Sequence, residues 1–207
     1  MTIIGATATD DKNSVANQAL SLDGINDYID SEVNLQSSGE SSCAIRIGGI
    51  IDSLSHRNTV FTTVGASTSN RNGVHLAVFE NTGDVYLTQY RSNSAVINVN
   101  TGFTCSIDTY YEFVLTYDAS TNTFKLYVNG ELEYSTTVGT AWSSSNENIW
   151  FGNYGQNTTN RFWEGMMDEP RTYNTVLSAS EVATLYILYD QEDAPTQNNA
   201  LLFGTNF

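Results

Sequence analysis

The chain has 207 residues, 40% of them apolar and 12% aromatic, enough for one sizeable core and in the range of a single all-β domain. Its 23 Asp and Glu against 8 Lys and Arg give a net charge of −15, which excludes nucleic acid and an anionic membrane surface as partners. No window holds the ~18 apolar residues of a membrane helix, and the first residues have neither a basic start nor a long apolar stretch, so no signal peptide is expected.

Residues 1–18 are polar and small, without periodicity, and read as an arm. Residues 19–30 read as strand, tight turn at Asp23-Gly24, strand. A buried strand follows over 43–52, with Cys43, Ile45 and Ile47 on one side and Gly48-Gly49 marking a bulge or a close backbone contact. Further strands are expected over 60–64, 74–80, 85–90 and 95–99. The stretch 110–134 is the strongest hairpin signal, two β-branched and aromatic runs with Asn129-Gly130 at the second turn. A two-residue loop there would put Glu131 and Glu133 on the apolar face. The register expected is therefore a three-residue loop pairing Leu126 with Leu132 and Phe124 with Tyr134, with Gly130 as the left-handed bulge residue.

Trp142 then lies in a Ser-rich loop, with strands over 147–152 and 161–173 flanking an Asn-rich loop at 153–160. Ser178-Ala179-Ser180-Glu181 is a capping box, opening a short helix to about Tyr189 with Val182, Leu185 and Tyr186 on one face. Strands at this spacing predict a two-sheet antiparallel sandwich with one short C-terminal helix. Cys43 and Cys105 sit in apolar runs, as reduced core thiols or as a bridge between neighbouring strands. Asn157-Thr158-Thr159 matches a glycosylation acceptor, which without secretion marks only a polar loop.

Three blocks carry a family resemblance: Leu22-Asp23-Gly24-Ile25-Asn26-Asp27-Tyr28-Ile29, residues 113–132 with their Tyr-Val-Asn-Gly turn, and residues 162–173 followed by 177–181. In order and spacing they resemble the laminin G-like, concanavalin A-like jelly rolls. The resemblance implies an all-β jelly-roll domain over 19–187, with an arm at 1–18 and a tail at 188–207. Two departures stand out. Pro170 occupies a position that is usually β-branched, so its strand is expected to be bulged or at an edge, and Tyr110 or Tyr111 replaces a tryptophan near the start of the central strand.

For catalysis the chain offers little. His56 and His75 lie in different strand regions without an obvious partner, and no nucleophile elbow, zincin motif or phosphate loop occurs. Concanavalin A-like glucanases carry two glutamates flanking an aspartate on one strand. Here Glu164 and Asp168 are four apart, with Glu169 on the opposite face, so no enzyme is expected. The resemblance also implies a structural calcium, held by Asp168 together with Asp23, Asp27 and turn carbonyls. The alternative is that Asp23 caps its own turn and Asp168 pairs with Arg171 or binds water.

A glycan site needs an aromatic platform flanked by amides and charges. Asn153, Tyr154 and Asn157 with Arg161 and Trp163 have these ingredients, as do Trp142 and Tyr90-Arg91, although Trp150 and Trp163 at strand spacing also suit a core. A fold common outside cells, without an export signal, points to a virion surface protein made in the host cytoplasm: a capsid decoration or fibre component of a tailed phage. Other subunits, including copies of the chain, would be its partners. The apolar end Leu201, Leu202, Phe203 and Phe207 would seat in a neighbour's groove. A carbohydrate-binding adhesin unrelated to a virion is the alternative, and cell-surface glycans are the further partner expected.

Overall fold

A computed structural model describes residues 1–34, 42–64, 71–139, 141–142, 148–155 and 161–192, with side chains to Leu188. The strands run β1 Thr2–Ile4, β2 Thr7–Thr9, β3 Ala19–Asp23, β4 Tyr28–Asp30, β5 Cys43–Ile51, β6 Asn58–Thr62 and β7 Gly73–Val78. They continue as β8 Asp84–Arg91, β9 Ser94–Thr104, β10 Tyr110–Asp118, β11 Thr123–Val128, β12 Glu131–Thr137, β13 Trp150–Phe151 and β14 Glu164–Tyr173, followed by helix α1 Ala179–Glu192. The first sheet has the order β1-β4-β13-β6-β7-β8-β9 and the second β12-β11-β10-β5-β14-β3-β2, and all pairings are antiparallel.

Period-2 alternation explains the sandwich. On β7 and β8 the buried Val74, Leu76, Val78, Val85 and Leu87 join Ile45, Ile47, Phe113, Leu126 and Phe124 of the second sheet in one core. Their sequence neighbours His75, Ala77, Tyr86, Thr88 and Tyr90 necessarily face out from the first sheet. Gln89 breaks the pattern. It is fully buried against Val74, Leu87, Ile97 and Phe124, and neither amide atom has a hydrogen-bond partner.

The glycine pair in β5 marks close contacts, as expected: a Cβ on Gly48 would lie 1.9 Å from the Tyr110 hydroxyl, and one on Gly49 2.6 Å from the Met166 carbonyl oxygen. The strand with Pro170 is bulged rather than at an edge. Pairing with β5 jumps from Asp168↔Gly48 to Arg171↔Arg46, and Glu169 takes up the irregularity at φ 52°. On the outer face of this sheet Arg46 Nη2 donates to Glu112 Oε2 at 2.5 Å, both side chains being at least 98% buried, and Nη1 reaches Glu169 at 3.3 Å. Helix α1 packs on the same face through Val182, with Leu177 just before it, against Ala44, Val114 and Tyr127. Its capping box forms as the sequence predicts: Glu181 N–H donates to Ser178 Oγ at 3.3 Å, and Ser178 N–H to the Glu181 carboxylate at 2.8 Å.

Three expectations need correction. The hairpin turns on two residues, Asn129 (φ 50°) and Gly130 (φ 81°), with Val128 opposite Glu131 and Tyr127 opposite Leu132. A bulge one pair later brings Leu126 opposite Tyr134. Because β12 is an exposed edge strand, its alternation carries no register information, and the turn's own φ preference decides. Second, residues 1–18 are not simply an arm: β1 and β2 pair with β4 and β3 and form an edge of each sheet. Third, the strand expected over 147–152 shrinks to β13, with 143–147 outside the described residues. The strand–turn–strand expected over 19–30 forms as β3 and β4 about the Asp23-Gly24 turn, and because the two strands belong to different sheets the turn is a crossover. Leu201, Leu202, Phe203 and Phe207 lie outside the described residues. Both cysteines are free and buried, and burial pushes each thiol up to about 12.

Candidate functional site

The outer face of the first sheet concentrates aromatic rings and arginines. Strand pairing sets Thr62 beside His75, His75 beside Thr88, Ala77 beside Tyr86 and Gly73 beside Tyr90. Phe79 continues the β7 row and stacks on Tyr86 with ring centroids 3.9 Å apart. The segment after β13 folds over this surface and lays Tyr154 edge-on to His75 at 4.4 Å. Two local features hold that segment. Asn153, itself buried, accepts the Gly155 N–H on Oδ1 at 3.0 Å. Gly152, at φ 79°, sits where a Cβ would meet Leu22 at 2.6 Å.

Each ring group carries a guanidinium. Arg57 lies over Phe79 at 3.6 Å, Arg161 over Tyr154 at 4.6 Å and Arg71 over Tyr90 at 5.3 Å. Arg57 Nε also donates to Glu80 at 3.3 Å. The Tyr154 hydroxyl is buried beside Tyr90 and Arg71 without closing a hydrogen bond of ordinary geometry; burial first, then Tyr90, push it above the usual phenol range. His75 is held far below the usual imidazole range by burial, then by Arg161 and Arg57. It is therefore neutral, with Nε2 3.3 Å from Thr59 Oγ1. The face thus offers cationic, planar N–H donors on an aromatic bed, without a titrating base.

Residues 23–183, most of the chain, match the family model described as the concanavalin A-like lectin/glucanases superfamily. The chain belongs to this superfamily. No curated protein matches it by sequence. Among solved structures it is similar to the Ruminococcus gnavus IT-sialidase CBM40 bound to α2,3-sialyllactose, at 16% identity and TM-score 0.62, over 82% of this chain and 96% of that one. It is similar to domain 4 of AbnA, an extracellular arabinanase of Geobacillus stearothermophilus in complex with arabinotriose, at 21% identity and TM-score 0.67, over 88% and 82%. A putative carbohydrate binding protein from Bacteroides ovatus shares 22% identity at TM-score 0.57, over 75% and 43%. At these identities the likeness establishes the fold.

Within this concanavalin A-like frame the structure sorts the residues singled out from sequence. Tyr90, Tyr154 and Arg161 do come together. Arg91 stands apart, its Nη1 donating to the Ala141 carbonyl at 3.3 Å. Trp142 and Trp163 are each 1% exposed and offer no platform: Trp142 packs edge-on to Tyr117 at 5.4 Å, and Trp163 donates Nε1–H to the Met166 carbonyl at 3.0 Å. Asn153 shapes the loop from inside, and Asn157 lies outside the described residues. Arg57, Arg71, Phe79 and Tyr86 were missed. The alternation that buries Val85 and Leu87 places Tyr86 and Tyr90 on the wet face, and was the available signal for those two.

The three aspartates of the calcium expectation do not converge. Asp23 pairs with Glu164, so Asp168 stands four residues further along β14, about 13 Å away at the usual strand rise. Asp23 Oδ1 caps its own turn, accepting the Ile25 and Asn26 N–H groups at 2.8 and 3.2 Å, while Asp27 Oδ2 accepts the Asp23 N–H at 3.1 Å. Among the described residues no three His, Cys, Asp or Glu side chains are placed to share an ion, so these groups do not fit the expected calcium.

Proposed function

We propose that this domain is a non-catalytic carbohydrate-binding module whose ligand lies on the outer face of the first sheet, across Tyr90, Tyr86 and Phe79 beside Arg71, Arg161 and Arg57. The observation that carries it is the row of three guanidinium-on-ring pairs at the centre of that sheet. Half-buried rings bury the apolar face of a sugar, and flanking N–H groups donate to its oxygens. The glycans bound by the Ruminococcus and Geobacillus structures support the class of ligand. Glycan-microarray binding of the full chain tests it. Binding that falls about tenfold or more in Tyr90→Ala, roughly 1.4 kcal/mol, supports the proposal; unchanged binding in that variant places the ligand elsewhere. The virion setting rested on a fold common outside cells without an export signal and on termini seated against neighbouring subunits; Thr2–Ile4 and Thr7–Thr9 pair instead with the chain's own sheets, which lends it no support.

A further inference from the structure

We infer that the preferred ligand of this face is an acidic glycan, recognised through a sugar carboxylate by Arg71 and Arg161; the inference rests on the carbohydrate-binding reading above. The chain carries 23 acidic against 8 basic side chains, yet Arg57, Arg71 and Arg161 gather on one surface. Elsewhere Arg46 is neutralised by Glu112 and Glu169, and Arg171 by Glu169, while Arg91 donates to the Ala141 carbonyl. On this face, among the described residues, only Arg57 has a carboxylate, Glu80. Among the described residues neither Arg71 nor Arg161 forms an ion pair, though each is fixed over a tyrosine ring. An acid-rich sequence has carboxylates to spare, and among the described residues none is paired with either of these two groups.

Placement over a ring limits where each guanidinium can point. A guanidinium carries five N–H donors, and those that Arg71 does not direct at the Tyr154 and Tyr90 hydroxyls, like those of Arg161, can meet the two oxygens of a carboxylate in parallel hydrogen bonds. A hydroxyl-only sugar offers no such pair of charged acceptors. His75, the remaining basic group of the cluster, is buried beneath Tyr154 and neutral, so recognition does not depend on its titration. Holding cations together without a counter-charge is unfavourable in the free protein, and an anionic ligand relieves it.

Oligosaccharides ending in a uronic or sialic acid, each paired with its neutral methyl ester, are the probes, titrated calorimetrically into the full chain. The expected result is at least tenfold tighter binding of the acid than of the ester. Arg161→Gln and Arg71→Gln, confirmed folded by their thermal melts, should erase the acid–ester difference. Arg161→Lys should restore it only in part, because an ammonium cannot make the paired contact. Equal binding of acid and ester, or a difference that survives both glutamine variants, overturns the inference while leaving carbohydrate binding intact. Absence of binding to acidic and neutral glycans alike overturns both. A sulfated sugar bound more tightly than the carboxylates would replace the carboxylate with a sulfate and overturn the inference as stated.

Discussion

Both sheets carry arginine on their outer faces, and the two faces treat it oppositely. On the second sheet Arg46 is sunk under the fold with Glu112 against it, Glu169 beyond, and helix α1 packed on the same face. On the first sheet Arg71 and Arg161 rest on tyrosine rings, partly exposed, with no ion-pair partner among the described residues. A charge neutralised inside the chain is part of the architecture. A charge that is oriented but not neutralised leaves its strongest interaction for something outside.

The sharpest way to break this contrast is to remove one carboxylate. Glu112→Gln strands Arg46 in the interior and should cost about 3–5 kcal/mol in urea unfolding, whereas Arg161→Gln on the other face should cost under about 1 kcal/mol. Equal costs would make both clusters structural and remove the distinction. Gln89 provides the next test, being a polar group that neither face compensates. Gln89→Met removes a buried amide whose two polar atoms are unpaired, and should raise stability by about 1–3 kcal/mol; a loss would show that the amide has a partner in solution, such as a trapped water.

His75 gives a smaller effect with a fixed sign. Its folded-state pKa lies well below the ordinary 6.5 because burial and the arginines disfavour the imidazolium. Below about pH 6.5 the unfolded chain takes up a proton that the folded chain refuses, so the histidine's contribution to stability falls with pH, by at most about 1.4 kcal/mol per unit. His75→Gln should show a correspondingly shallower acid-side loss when unfolding is compared between about pH 6.5 and 5. Parallel curves would mean that the cluster on the first sheet exerts no such field.

The sandwich was legible because alternation and turn chemistry are local. The strand around Cys43, Ile45 and Ile47, the Ser178–Glu181 cap and the Pro170 bulge all follow from residues within a few positions of one another. The hairpin register was misread because the apolar-face rule was applied to β12, which is exposed at an edge. The site was only partly legible. Its arginines come from three separate segments, before β6, before β7 and before β14, so no spacing in the chain announces that they meet. The tryptophans misled for a related reason: an indole in a polar loop resembles a sugar platform until the fold shows Trp142 seated on Tyr117 and Phe124.

The two thiols have a consequence of their own. Cys43 and Cys105 are unbridged, enclosed in the core and raised to about 12, so almost no thiolate exists at neutral pH to meet an oxidant or an alkylating reagent. No cross-link supports the sandwich, and none is lost under reduction. The fold is therefore indifferent to the redox potential around it. A single cysteine placed on the outer face of the first sheet could carry a fluorophore selectively, with both native thiols left in place.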